Sequence, residues 1–290
     1  MSWNPLANAQ ALLQYAFMRH AFAAGTIVAV IAGVVGYFVV LRSLSFAGHA
    51  LAHIGFAGAT AAVVIGWNPI AGLLAFTIGS GLGMGALGKR IYGRDVIIGI
   101  VLAWTLGLGV LFLSLYTGYA TEAYALLFGE ILGISQQDVV ITLIVGLATL
   151  LALLALYRPL LFASLDEEVA EARGVPTRWL AIAFMALLAL AVAEATQVVG
   201  VLLIFALLIT PAAIAERLTA RPTYAIIISV ALALVFTWSG LIAAFYLPYP
   251  VSFFITTFAF AAYLCVRLAA AWKDRVARPS AEGDHTRLKA

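Results

Sequence analysis

A single cysteine, Cys265, in 290 residues excludes an intrachain disulfide, and its apolar surroundings suit simple packing. Charge is scarce too. Asp, Glu, Lys and Arg make up 10% of the chain, against roughly 25% in soluble domains. Hydrophobic residues reach 64%, where about 45–50% is usual. That balance excludes a water-soluble globule and identifies a polytopic membrane protein. No separate soluble domain is visible, and the longest polar stretch is the tail from Lys273 to Ala290. The N-terminus lacks the basic region and small-residue cleavage site of a secretory signal peptide. Residues 1–15 read as a short outer segment lying along the membrane interface.

A membrane span needs roughly 20 apolar residues. Nine stretches qualify, at about 18–41, 44–65, 69–88, 96–117, 139–157, 179–194, 197–215, 223–246 and 252–272. The sixth is short, and only polar residues near Glu194 part it from the seventh, so the count is eight to nine. The expected fold class is all-α: one membrane-embedded helical bundle over residues 1–290.

Lys and Arg set the orientation. With the C-terminus inside and nine alternating spans, Arg42, Lys89, Arg90, Arg94, Arg158, Arg173, Arg178, Arg217, Arg221 and the basic residues of the tail (273–290) all lie in the cytoplasm. Of the 16 basic residues only Arg19 is left outside, as the positive-inside rule favours. Trp67-Asn68-Pro69, the segment from Gly118 to Gln137 with Glu122 and Glu130, and Pro248-Tyr249-Pro250 then face outward. The net charge of +3 is a topology signal, so a nucleic-acid partner is not called for and membrane lipid is.

Glycine is abundant in the early spans. Gly79 with Gly83, and Gly81 with Gly85, place small residues one turn apart, which lets helices approach closely in lipid. The same run, Gly83 to Lys89, fits G-x-x-x-x-G-K. A phosphate-binding loop then needs Ser or Thr, follows a strand and opens a helix. Here Arg90 follows and the segment ends a span, so the chain is not expected to hydrolyse nucleotide itself.

Two histidines stand out against this background. His49 and His53 are the only ionisable groups in the run from Phe46 to Gly55. Positions i and i+4 lie on one helix face, so both imidazoles can point at one ligand. Ionisable groups inside a bilayer are costly and mark paths for ions or substrates. The pair has the histidine spacing of H-E-x-x-H without the glutamate that acts as base in zinc proteases. Every Asp and Glu falls at a span end or in a loop on this reading, which disfavours a proton-coupled carrier. Neutral imidazoles can ligate zinc. The site suits holding a metal briefly rather than doing chemistry on it.

The loop at 158–178 is the one strongly acidic segment on the inner side. Ser164 or Asp166 can cap a short helix, Glu167 and Glu168 suit its positive end, and Gly174 can stop it before Pro176. A short charged helix on a cytoplasmic loop suits docking a soluble partner.

Four segments in order resemble the membrane permease subunit of ABC-type importers for zinc, manganese and iron, the ABC-3 family. Val40 to His53 resembles the family's "LRRLSLLGDALSH". Leu127 to Ser135 is similar to its "FGSIL" outer segment. Leu165 to Val175 resembles its ATPase-coupling loop, with Ala170 four residues before Gly174. Val199 to Leu203 with Ala206 to Ala213 resembles "VGxLL…ALLxxPAA". The resemblance covers about residues 15–270. It implies a type II ABC importer fold in the inner membrane, a homodimer with the path between subunits, cytoplasmic ATPase subunits and an extracytoplasmic metal-binding protein. It also implies metal contact at His49 and His53, and ATPase coupling through Asp166, Glu167, Ala170 and Gly174. One departure falls on the site: His49 stands where the family usually has aspartate, which shifts preference toward zinc over manganese. Two subunits would supply four imidazoles, the number a tetrahedral zinc site requires. The expectation is transient binding of transported zinc, with no resident cofactor. The alternatives are manganese or iron import and, from other classes, a secondary metal carrier or a membrane metalloenzyme.

Overall fold

The computed structural model describes residues 14–87, 94–115, 129 and 131–277. The expectations for the N-terminal outer segment, Lys89, Arg90, Glu122, Glu130 and the tail beyond Ala277 lie outside the described residues. We number the helices α1 (Ala16–Leu41), α2 (Ser45–Val64), α3 (Pro69–Leu87), α4 (Arg94–Leu115), α5 (Gln136–Leu165), α6 (Glu167–Ala172), α7 (Thr177–Val199), α8 (Val201–Leu218), α9 (Pro222–Tyr246) and α10 (Val251–Ala277). All except α6 are long and apolar enough to span a membrane, giving nine candidate spans among the described residues.

The sixth and seventh spans are separate helices. α7 runs on to Val199 and α8 starts at Val201, so Gly200 alone turns the chain, at φ 83°. That corrects the placement of Glu194 at a span end. It lies within α7, 4% exposed, beside Thr142 of α5.

Alternation places the turns in two sets. The near end carries 42–44, 166–176 and 219–221; the far end carries 65–68, 131–135, Gly200 and 247–250. Long-range contacts respect this division. At the far end His20 Nδ1 meets the Ile134 carbonyl at 3.2 Å. At the near end Arg42 reaches Ser164.

α1, α2 and α7 form the centre, with α3 and α4 against α2, and α8 and α9 against α1. Phe38, Leu51, Ile54, Phe184 and Leu188 are fully buried there. The outer helices do the opposite. Ile100 and Trp104 of α4, Leu154 of α5 and Phe260 of α10 are each about two-thirds exposed, an apolar belt that water disfavours and lipid accepts. α2, with 20 residues, is about 30 Å long, close to the hydrocarbon thickness. α5, with 30, reaches about 45 Å, and its excess length leads to the acidic loop.

Only one of the two glycine pairs in α3 makes a close contact. A Cβ on Gly81 would come within 2.9 Å of the Met185 carbonyl oxygen, and one on Gly85 within 2.8 Å of Ile182 Cα, both in α7. Gly79 and Gly83 face open space.

Candidate metal site and coupling element

α2 is held on one side so that its opposite side can carry the histidines. Gly58 of α2 and Gly72 of α3 touch backbone to backbone, and a Cβ on either would overlap the other's carbonyl. Small residues permit such contact in lipid, where packing substitutes for the hydrophobic drive. His49 and His53 are half-buried one turn apart, their ring centroids 4.6 Å apart and the planes at 75°. Phe205 of α8 packs edgewise on His49 at 4.8 Å. By rise per residue, His53 stands about 12 Å from the helix start at Ser45, near mid-membrane.

The Nδ1 atoms of both histidines are buried and have no hydrogen-bond partner. An imidazole holding a resident metal ordinarily donates its other N–H to a carboxylate, carbonyl or water, which fixes tautomer and orientation. Among the described residues of this chain neither Nδ1 has such a partner. Both can ligate, and both can let go. Among the described residues no group of three or more His, Cys, Asp or Glu could hold a metal, so these residues of one chain supply an incomplete set.

The acidic loop contains α6. Asp166 caps it, its carboxylate accepting from the Val169 N–H at 3.0 Å. Ser164, the alternative cap, lies instead in the last turn of α5 and donates to the Leu160 carbonyl at 2.5 Å. Glu167 and Glu168 occupy the first turn, where the helix dipole favours them. The helix stops in a Schellman arrangement: the Gly174 N–H bonds the Glu171 carbonyl at 2.9 Å and the Val175 N–H bonds that of Ala170 at 3.0 Å. Ala170 is fully buried, while Leu165 (66% exposed) and Val169 (43%) offer apolar surface. The Thr177 hydroxyl donates to Glu171 at 2.6 Å, tying α6 to the start of α7.

Gly174 has φ 83°, and a Cβ built there would meet nothing within 4 Å. A larger residue there meets backbone strain and no clash. Gly174→Val should therefore disorder α6 while leaving membrane insertion intact and, if the loop seats an ATPase as the sequence leads one to expect, reduce retention of that ATPase. Unchanged copurification and stimulation of the ATPase by the variant would place its seat elsewhere.

The sequence reading missed Phe205 and the neighbour of Glu194. Glu194 is visible in the sequence as the carboxylate between the sixth and seventh apolar stretches. Phe205 carried no signal, being one apolar residue in an apolar run.

Comparison with known proteins bears on the arrangement as a whole. The profile of the ABC 3 transport family matches residues 14–270. The chain is 34% identical over 211 residues to the manganese transport system membrane protein MntC of Halalkalibacterium halodurans, covering 72% of each. It is 34% identical over 205 residues to the manganese import system permease protein ScaB of Streptococcus parasanguinis, covering 70% of this chain and 73% of that one. Among solved structures, PsaBC from Streptococcus pneumoniae in complex with Fab superposes with a TM-score of 0.80 at 29% identity, over 90% of this chain and 94% of that one.

Proposed function

This chain belongs to the ABC 3 transport family, and on that premise we propose that it is the membrane permease of an ATP-driven importer of a divalent transition metal. The observation that carries the reading is the His49–His53 pair, with buried unpartnered Nδ1 atoms at the middle of a spanning helix. Ligands that are present, few and not oriented by neighbours suit a cargo that must leave. The family assignment supports separate cytoplasmic ATPase subunits docking on Asp166, Glu167, Ala170 and Gly174, and an extracytoplasmic metal-binding protein on the opposite side. A homodimer in the inner membrane would pair His49 and His53 with their copies to give four nitrogen donors.

The donor set favours zinc, because two imidazoles without a carboxylate are softer ligands than manganese prefers. Manganese is the second reading, favoured by the relatives named for its transport. The test is metal accumulation by vesicles holding this chain, its ATPase and its binding protein. Zinc uptake should require ATP and all three components; equal flux through this chain alone would support a secondary carrier instead.

The distribution of basic residues supports one topology. Residues 166–175 should be cytoplasmic and residues 247–250 external, since the near-end turns hold Arg42, Arg173 and Arg221 and the near end of α8 holds Arg217. Single cysteines at these places, in a Cys265→Ala background, should label with an impermeant maleimide in intact cells only at 247–250. External labelling within 166–175 would invert the topology.

A further inference from the structure

Arg42 is 6% exposed, although arginine is almost never fully buried unless paired. It is the C-cap of α1, three residues before α2 begins and seven before His49. The turn it opens is closed by two backbone hydrogen bonds. The Leu44 N–H bonds the Val39 carbonyl at 2.8 Å and the Ser43 N–H that of Val40 at 2.9 Å, a Schellman closure with Ser43 in the left-handed region at φ 55°. A displacement of Arg42 therefore passes into the start of α2 with little slack.

The guanidinium engages both flanks of the coupling loop. Nη1 donates to Ser164 Oγ at 3.1 Å across 122 residues of sequence. The Ser164 proton is committed to the Leu160 carbonyl, which leaves its lone pairs for arginine. Ser164 lies two residues before Asp166, the cap of α6. On the other flank, the guanidinium lies 5.7 Å from the Phe184 ring centroid of α7, a cation–π contact. Phe184 is itself fully buried against Phe38.

We propose that Arg42 is the positioning residue that links movement of the ATPase-docking loop to the helix bearing His49 and His53. This rests on the transport reading above. Because α5 and α7 leave the loop in opposite directions along the chain, one side chain held by both registers their relative displacement. It delivers that displacement to α2, three residues away.

The test is the ratio of metal imported to ATP hydrolysed in vesicles containing the complete transporter. Arg42→Met keeps an apolar stem and removes the donors. It should insert normally and bind the ATPase, with hydrolysis near wild type, while the ratio falls about tenfold, within the 5–150-fold usual for coupling between sites. Ser164→Ala should lower the ratio in the same direction by less, and Arg42→Lys should restore part of it. Uptake and hydrolysis falling in proportion in Arg42→Met would reduce Arg42 to a structural residue and overturn the proposal. So would an unchanged ratio. If Arg42→Met does not insert, Ser164→Ala decides alone, and a wild-type ratio there overturns the link. Absence of ATP-dependent uptake by the wild-type transporter would instead reject the transport reading itself.

Discussion

His53→Ala should eliminate metal uptake while leaving the amount of inserted protein unchanged. The imidazole lies near the middle of α2 with a buried, unpartnered Nδ1, so its removal breaks no hydrogen bond within the protein. The loss should exceed the roughly 10–100-fold that changes around a metal's ligands cause, since on the proposed reading a ligand itself is gone and His49 is the one other imidazole on α2. His49→Asp behaves differently. It keeps a ligand at the same place and changes its hardness, so uptake should persist with selectivity moved from zinc toward manganese. Competition between the two metals, measured by isotope uptake at matched protein levels, reads both variants. Zinc uptake by His53→Ala within a few-fold of wild type would remove His53 from the path.

Gly129→Ala should destabilise the fold strongly. Gly129 has φ 76°, and a Cβ there would overlap the Val199 carbonyl and approach the Gly200 nitrogen within 2.7 Å. The left-handed backbone alone costs an alanine about 1–3 kcal/mol, and forcing atoms into a packed contact adds about 1–3 kcal/mol. Gly174→Ala provides the control, because its φ is similar at 83° but its surroundings are open. Thermal unfolding in detergent should show a markedly larger drop for Gly129→Ala than for Gly174→Ala. Equal shifts would mean that the far-end segment does not press on the α7–α8 turn. The contact matters for transport because it packs Gly129 on the one-residue turn between α7, which carries Glu194, and α8, which carries Phe205.

What the sequence disclosed and what it hid divide along a physical line. Span number, the i,i+4 histidines and the stop at Gly174 depend on composition, local spacing and backbone conformation, all of which one chain displays. The hidden features depend on which helix faces which. Nothing in the spacing distinguishes Gly81 and Gly85, which meet α7, from Gly79 and Gly83, which meet nothing within 4 Å. Phe205 gains its place against His49 only when α8 crosses α2, and Glu194 gains Thr142 only when α5 packs on α7. A window of apolar residues also ended the sixth span five residues early, because a single carboxylate with a buried neighbour reads in sequence as a boundary. Arg42 was counted toward topology; its reach to Ser164 spans 122 residues and left no local trace.

The measurement that tests the central claim most directly is ATP-dependent zinc uptake by vesicles holding the complete transporter, with either the wild-type chain or His49→Ala, His53→Ala at equal incorporation. The account predicts accumulation driven by ATP for the wild type and only background for the double variant, with the ATPase still bound. Uptake by the double variant at the wild-type rate would contradict it.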